Sequence, residues 1–279
     1  MTIIITGQVE FSPDGDSFLS CADYSAICLW DRSGQKIKTI DINCSWGAIA
    51  TFLSDGKRIA VWGYDPKLHL LDVESGREFK TVSLASGYSL LQIIHNGHSL
   101  YESDDSERCR ILDIDSGQIT REFPRRNNRV GATLSPDGRM AASGIYCTTI
   151  SLWDFVSEED IRHLEGHVGS INQINFSPDG KTIVSCSQDT TIRLWDVQSG
   201  LEIRKFEHSM PVNNAVFSPD GLTIASCSDD RTIRLWDVAT GMEKQKFDGH
   251  HQFVTWISFS PDGTTLVSCD NHGKIALWG

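Results

Sequence analysis

The sequence predicts an all-β fold, a β-propeller of seven small antiparallel sheets of four strands each. Three observations carry this. First, an apolar residue closes each unit 15 positions after a turn glycine: Gly15 to Trp30, Gly56 to Leu71, Gly97 to Leu112, Gly138 to Trp153, Gly180 to Trp195, Gly221 to Trp236 and Gly263 to Trp278. Second, these end points lie 41, 41, 41, 42, 41 and 42 residues apart. A fixed period of this size with several short strands per unit is the mark of a propeller. Third, the units read as strand, tight turn, strand. In Lys181–Asp196, Thr182, Val184 and Cys186 alternate with Ile183, Ser185 and Ser187, the period-2 pattern of a half-buried strand. Gln188-Asp189-Thr190 then supplies the turn, and Ile192, Leu194 and Trp195 a second apolar strand. Phe176-Ser-Pro-Asp-Gly180 precedes the unit as another turn.

Taken in order, the units end near residues 31, 72, 113, 154, 196, 237 and 279, and residues 1–279 are read as one propeller domain. The first unit is preceded only by Met1 to Gly7, with one short apolar run, Ile3 to Ile5. An outer strand sits about three strand spacings, roughly 14 Å, from the next inner strand, so this run can hardly supply one and still cross over. The last unit stops at Trp278-Gly279 without a fourth strand. Either the terminal blade has three strands, or the chain is part of a longer polypeptide, and because native proteins cover unpaired edges the second is slightly preferred. The second and third units are degenerate, with Leu71-Asp72 and Leu112-Asp113 at their ends and an acidic turn, Glu102 to Glu107, in the third. The fourth enters through the basic residues Arg121, Arg125, Arg126 and Arg129, and the last three units are the most regular. Ser33-Gly34, Ser75-Gly76, Ser116-Gly117, Ser199-Gly200 and Thr240-Gly241 read as tight turns to the outer strands, a place taken in the fourth unit by Phe155 to Asp160.

The composition bounds the function. A net charge of -12 disfavours general binding to nucleic-acid phosphates and mildly favours basic partners. Of the eight cysteines, Cys21, Cys186, Cys227 and Cys269 each stand nine positions before the tryptophan of their unit, a packing choice rather than a zinc or disulfide pattern. Reduced cysteines and the lack of a signal-peptide pattern point to a cytoplasmic setting. No stretch approaches a membrane span.

Trp153-Asp154, Trp195-Asp196 and Trp236-Asp237, with Gly166-His167 and Gly249-His250 upstream, resemble the WD-repeat (transducin beta-like) family over essentially the whole chain. The resemblance implies a seven-bladed propeller acting as an interaction platform and fixes no particular partner.

His167, Ser185, Asp189 and Trp195 recur as His208, Ser226, Asp230 and Trp236. Out of context, Ser, His and Asp suggest a hydrolase, but a catalytic triad is a single constellation beside an oxyanion hole, and a copy in successive repeats points to structure. The expected chain runs from indole N–H to hydroxyl, from hydroxyl to imidazole and from imidazole to the turn carboxylate. The seventh unit keeps His250, Ser268 and Trp278 but has His272 where aspartate is expected, so its network should be weaker or differently wired. The fourth has Arg125 and Cys147 at the His and Asp positions, and the first three lack most of the set, so the second half of the chain is expected to be the more rigid. His250, His251 and His272 lack carboxylate or thiolate companions at metal-site spacing, and no metal or cofactor is expected.

In the family, partners commonly use the face carrying the loops before the inner strands and the second turns. Carried over residue by residue, this implicates Trp46, Tyr64, Tyr146 and Phe253 as aromatic contacts, with Asp105, Gln188, Asp229 and Asn271 beside the turn and Arg125, Arg126 and Arg129 in the basic loop. Each aromatic could instead pack against a neighbouring blade. The acidic turn and the arginine loop could screen one another or form a split charged rim that orients a partner. The expectation is a non-catalytic, monomeric scaffold with a protein or peptide partner and neither nucleic acid nor membrane among its ligands. The rival reading is a regulatory or sensor segment of a larger multidomain signalling protein, linked to an ATPase or kinase.

Overall fold

The computed structural model describes residues 8–22, 26–42, 49–63, 65–85, 90–93, 98–103, 108–124 and 131–279. Among these residues there is no helix, and the strands form seven antiparallel sheets. The chain divides into two compact units, Met1–Arg125 with Ser258–Gly279, and Arg126–Ile257.

In the first unit, β1 (Gln8–Phe11), β2 (Ser17–Ala22), β3 (Ala26–Asp31) and β4 (Lys36–Asp41) follow one another across the first sheet. The second sheet is β5 (Ile49–Phe52), β6 (Arg58–Trp62), β7 (Lys67–Asp72) and β8 (Glu78–Ser83). The third is β9 (Leu90–Ile93), β10 (Ser99–Ser103), β11 (Arg108–Asp113) and β12 (Ile119–Pro124). The second unit holds β13 (Ala132–Leu134), β14 (Met140–Ser143), β15 (Thr149–Asp154) and β16 (Asp160–Glu165), then β17 (Ile171–Phe176), β18 (Thr182–Ser187), β19 (Thr191–Asp196) and β20 (Glu202–Glu207). Its third sheet is β21 (Val212–Phe217), β22 (Thr223–Ser228), β23 (Thr232–Asp237) and β24 (Glu243–Asp248). The last sheet, β25 (Val254–Phe259), β26 (Leu266–Asp270) and β27 (Ile275–Trp278), has three strands among the described residues.

One turn chemistry recurs between first and second strands. Ser177 Oγ accepts the backbone N–H of Thr182 (3.0 Å) and donates to Asp179 Oδ1 (2.6 Å). Ser12, Ser135, Ser218 and Ser260 do the same at their own turns. Gly180 closes the turn at φ 70°, where a side chain would be strained. The prolines of four of these turns, Pro13, Pro136, Pro178 and Pro261, lie against the glycine of another such turn. A Cβ on Gly56 would lie 3.7 Å from Pro13, one on Gly221 3.6 Å from Pro178, and one on Gly15 3.2 Å from Pro261. Between third and fourth strands, Asp196 Oδ1 accepts N–H and O–H from Ser199, and Gly200 follows at φ 75°. In the fourth sheet Glu158 takes that left-handed position at φ 63°, without the freedom of glycine.

Apolar side chains interlock neighbouring sheets. Ala142, Ile150, Leu152 and Leu164 of the fourth sheet share a core with Ile171, Ile174, Ile183 and Trp195 of the fifth. Val184, Ile192, Leu194 and Phe206 do the same with Val212, Ile224 and Trp236 of the sixth. This corrects one expectation. Strand β18 is buried on both faces beyond Thr182, not half-buried, because neighbouring sheets cover each side of it. From Val184 onward the alternation separates apolar Val184 and Cys186 from the small hydroxyl side chains of Ser185 and Ser187, not core from solvent. A second correction concerns Glu102. It lies in β10 and is buried, accepting the backbone N–H of Ala85 at 2.7 Å, rather than belonging to an exposed acidic turn. Residues 104–107 lie outside the described part. Among the described residues no helix is long and apolar enough to cross a membrane, and the seven described cysteines are free thiols.

Candidate functional site

The loop before the first strand of a sheet and the turn joining its second and third strands lie at the same end, because consecutive strands are antiparallel. In the fifth sheet a buried polar chain fastens them together. Trp195 Nε1–H donates to Ser185 Oγ at 2.8 Å. His167 Nε2 lies 2.8 Å from the same hydroxyl, and Nδ1 lies 2.8 Å from Asp189 Oδ2. A carboxylate can only accept, so Nδ1 carries the proton and Nε2 accepts from the serine. Asp189 also accepts from Val168 N–H and from the Thr191 hydroxyl. The sixth sheet repeats the arrangement. Trp236 donates to Ser226 at 2.8 Å, and His208 bridges Ser226 and Asp230 at 2.8 and 2.9 Å.

Elsewhere the polar groups differ. Trp30 donates to Ser20 (2.9 Å) and Trp153 to Ser143 (3.2 Å), in units whose sequences place Thr2 and Arg125 where His167 stands. In the last sheet Trp278 donates to Ser268 at 2.9 Å, and His250 is buried. The carboxylate there is Asp270, two residues before the place occupied by His272. Its Oδ1 accepts the backbone N–H groups of His272 and Lys274, both at 3.0 Å. The second sheet uses His69 instead, between Glu78 (2.6 Å) and Asp65 (3.0 Å). Burial alone would lower the His69 pKa, but the two carboxylates outweigh it and raise it.

Titration follows from these contacts. Burial works to raise the Asp189 carboxyl, yet hydrogen bonds from Thr191, His167 and Val168 hold it well below the usual carboxylate range. Asp230 is held low in the same way, chiefly by His208 and Thr232 against burial. The turn aspartates Asp14, Asp137, Asp179 and Asp220 are lowered first by their serine hydroxyls. A carboxyl lowered on folding stabilises above its unfolded value of 3.8, and that stabilisation is lost as pH falls through the folded value. Burial lowers the His167 pKa despite Asp189, so its contribution is complete above 6.5 and drains away below. Glu10, pushed up to about 7 by burial, has the opposite sign: its contribution is present below 4.5 and lost as pH rises through about 7. Urea midpoints are therefore expected not to fall between pH 7 and 4.5, where the gains at Glu10 and at the raised His69 oppose the loss at His167, and to fall steeply below about pH 4. A midpoint that stays level down to pH 3 would contradict this assignment.

The second unit presents apolar side chains beside these networks. Tyr146 is 65% exposed with φ 67°, uncommon for an aromatic residue. Its N–H donates to Ile171 O at 2.8 Å, and Ile171 N–H returns to Cys147 O, which ties this turn to the start of β17. Phe253 is exposed in the loop before β25. Val168 (85% exposed) and Met210 stand in the corresponding loops before β17 and β21. Gln188 and Asp229 occupy equivalent turns and are held by the start of the first strand: Gln188 Nε2 donates to Asn172 Oδ1 (3.0 Å), and Asn213 Nδ2 to Asp229 Oδ1 (2.7 Å). The same asparagines reach the next sheet, Asn172 to Val212 O at 2.7 Å and Asn213 to Val254 O at 2.9 Å. Asn271 belongs to the first unit, and its Oδ1 is buried without a partner among the described residues. Trp46, Tyr64, Asp105, Arg125, Arg126 and Arg129 lie outside the described residues. Val168, Met210, Asp270 and the His69 cluster were not anticipated from the sequence. The loop apolar residues could have been found as hydrophobes between a network histidine and the first strand. Among the described residues no group of His, Cys, Asp and Glu is arranged to hold a metal ion.

Blades of antiparallel strands, bound by a Trp–Ser–His–Asp set at a 41-residue repeat, define a β-propeller of the WD type. Comparison with family models agrees: residues 5–31, 158–196, 200–237 and 241–279, together just over half of the chain, match the WD40 family, described as "WD domain, G-beta repeat". The chain belongs to that family. No curated protein matches it.

Proposed function

We propose that this protein is a non-catalytic scaffold that binds a protein or peptide partner on the loop-bearing face of its second unit. The observation that carries the reading is Tyr146, an exposed aromatic held in a left-handed backbone conformation by hydrogen bonds to β17. Such strain persists where surrounding structure over-determines it, and it concentrates at functional sites. Phe253, Val168 and Met210 add exposed apolar surface at the same end of neighbouring sheets, and buried networks fix the loops that carry two of them. A rigid frame that displays an aromatic loses little entropy on binding. Ser185 supports the non-catalytic reading. It stands in line with His167 and Asp189 like a nucleophile, but it is fully buried and its oxygen already accepts the Trp195 indole.

The test compares affinity capture from cell extract by the wild type and by the Tyr146→Ala/Phe253→Ala variant, with mass spectrometry of what is retained. Loss of two central aromatics is expected to weaken a captured partner at least about 30-fold, from about 2 kcal/mol or more at a hot spot. The melting temperature should stay nearly unchanged, because both side chains are exposed. Partners retained equally by both proteins would reject this face.

A further inference from the structure

In the second unit the turns between second and third strands place Tyr146, Gln188 and Asp229 at one equivalent position. Of the three, Asp229 alone brings a charge. The chain holds this carboxylate from two sides. Asn213 is the extra residue of a bulge, because the pairing of β21 with β22 shifts register between Val212 and Asn214. Its amide nitrogen donates to Asp229 Oδ1 at 2.7 Å and to Val254 O at 2.9 Å. One amide thus joins the carboxylate to the backbone beside Phe253. The Asp229 N–H donates to Pro211 O at 3.0 Å, and the preceding Ser228 hydroxyl to Met210 O at 3.1 Å, which fastens the same turn to the loop that carries Met210.

The carboxylate is therefore fixed at its backbone and at one oxygen. It is half-buried, and among the described residues no donor reaches Oδ2. Bases near it are engaged elsewhere. Arg234 pairs with Asp230 (3.4 Å) and Glu243 (3.2 Å), Lys205 with Glu207 (2.7 Å) and Lys246 with Asp248 (3.1 Å). Arg231, two residues on, is exposed and forms no ion pair among the described residues. Phe253 and Met210, in the two loops tied to this turn, are exposed apolar side chains. The fifth sheet has the same amide device in Asn172, but there the turn residue is the neutral Gln188, and Pro211 stands where Phe253 does.

A carboxylate with one oxygen open, beside an aromatic ring and a thioether, is complementary to a cation on an apolar stem. We propose that Asp229 receives a lysine or arginine side chain of the partner, whose head donates to Oδ2 while its methylenes lie against Phe253 and Met210. This rests on the reading that the loop face of the second unit binds a partner, and it gives that partner's chemistry: a basic residue among apolar ones. Hydrogen bonds between ionised groups are about twice as strong as neutral ones, so this contact sets the preference of the face.

The probes are fluorescent heptapeptide pools with a fixed central Lys, Arg, Gln or Glu between apolar residues, titrated into the full chain. The wild type is expected to bind the Lys and Arg pools at least about tenfold more tightly than the Glu pool. Asp229→Asn keeps the shape and an acceptor for Asn213, and should erase that preference. Asp229→Lys should turn it toward the Glu pool, which a merely structural Asp229 would not do. If Asp229→Lys fails to fold, Asp229→Asn carries the test. A wild type without the preference, or a preference kept in Asp229→Asn, overturns the proposal. If binding without preference is still lost in Tyr146→Ala/Phe253→Ala, the loop-face reading stands alone. A wild type that binds no pool also overturns the proposal, and capture from extract then decides the loop-face reading by itself. So does a preference seen only in Arg231→Ala, because this chain's own guanidinium would then hold Asp229.

Discussion

Replacing Trp195 by Ala is expected to lower the free energy of unfolding by about 4 kcal/mol, the usual cost of deleting a buried aromatic side chain. The indole is 1% exposed and sits in the core shared by the fourth and fifth sheets, so its removal leaves a cavity that rigid strands on both sides cannot close. It also leaves Ser185 without its indole donor. The same substitution at Trp30 should cost clearly less, because that ring is half-buried and borders a groove. Urea denaturation of both variants checks the pair. A Trp195→Ala midpoint within error of the Trp30→Ala midpoint would mean that the indole is not a principal core element.

Replacing Ser185 by Ala is expected to cost about 3 kcal/mol, although it removes a single oxygen. Two buried partners, the Trp195 N–H and His167 Nε2, would then lack a mate, and each unmet buried group costs about 1–3 kcal/mol. Ser143→Ala is the control, because Ser143 accepts the Trp153 indole and no histidine stands at the His167 place of that unit. It should cost about 1 kcal/mol. If the groups act as one network, Ser185→Ala combined with His167→Ala should cost less than the two single changes together, because the shared contact is lost only once. Strict additivity, or equal cost at Ser143 and Ser185, would show that the histidine link adds no stability.

Much of this protein was readable in its sequence, for a specific physical reason. Backbone hydrogen bonding allows few ways to close a short hairpin, and a chain that repeats one solution keeps the same residues at the same spacing. The gap of ten residues between Ser185 and Trp195 recurs between Ser226 and Trp236, so the indole–hydroxyl contact in one sheet foretells the other. Among the described residues the last sheet has three strands, one of the two alternatives that the sequence left open. What escaped depends on contacts between elements distant in sequence. Asp270 serves its turn from two positions upstream of the expected aspartate, a change of geometry that spacing cannot reveal. His69 is buried between Asp65 and Glu78; Asp65 stands at the turn-aspartate position and Glu78 at that of Glu202 and Glu243, but a histidine in place of Arg193 and Arg234 joins them into a cluster that no other sheet repeats among the described residues. Glu102 looked like part of an acidic surface turn because its sequence neighbours are charged, whereas the strand carries it inward to the Ala85 N–H. Exposure of Val168 and Met210 was equally hidden, since hydrophobicity alone does not say which side of a loop faces solvent.

The proline–glycine contacts between successive turns have a wider consequence. Where Pro13 meets Gly56, Pro178 meets Gly221 and Pro261 meets Gly15, the distance between adjacent blades is set by a five-membered ring against bare backbone. Neither partner has rotamers through which to yield. At these junctions that end of the blades acts as a stiff base, and the opposite end is left free to diverge in composition. Selection could therefore rewrite what the molecule recognises by altering the loops there without disturbing how the blades are spaced.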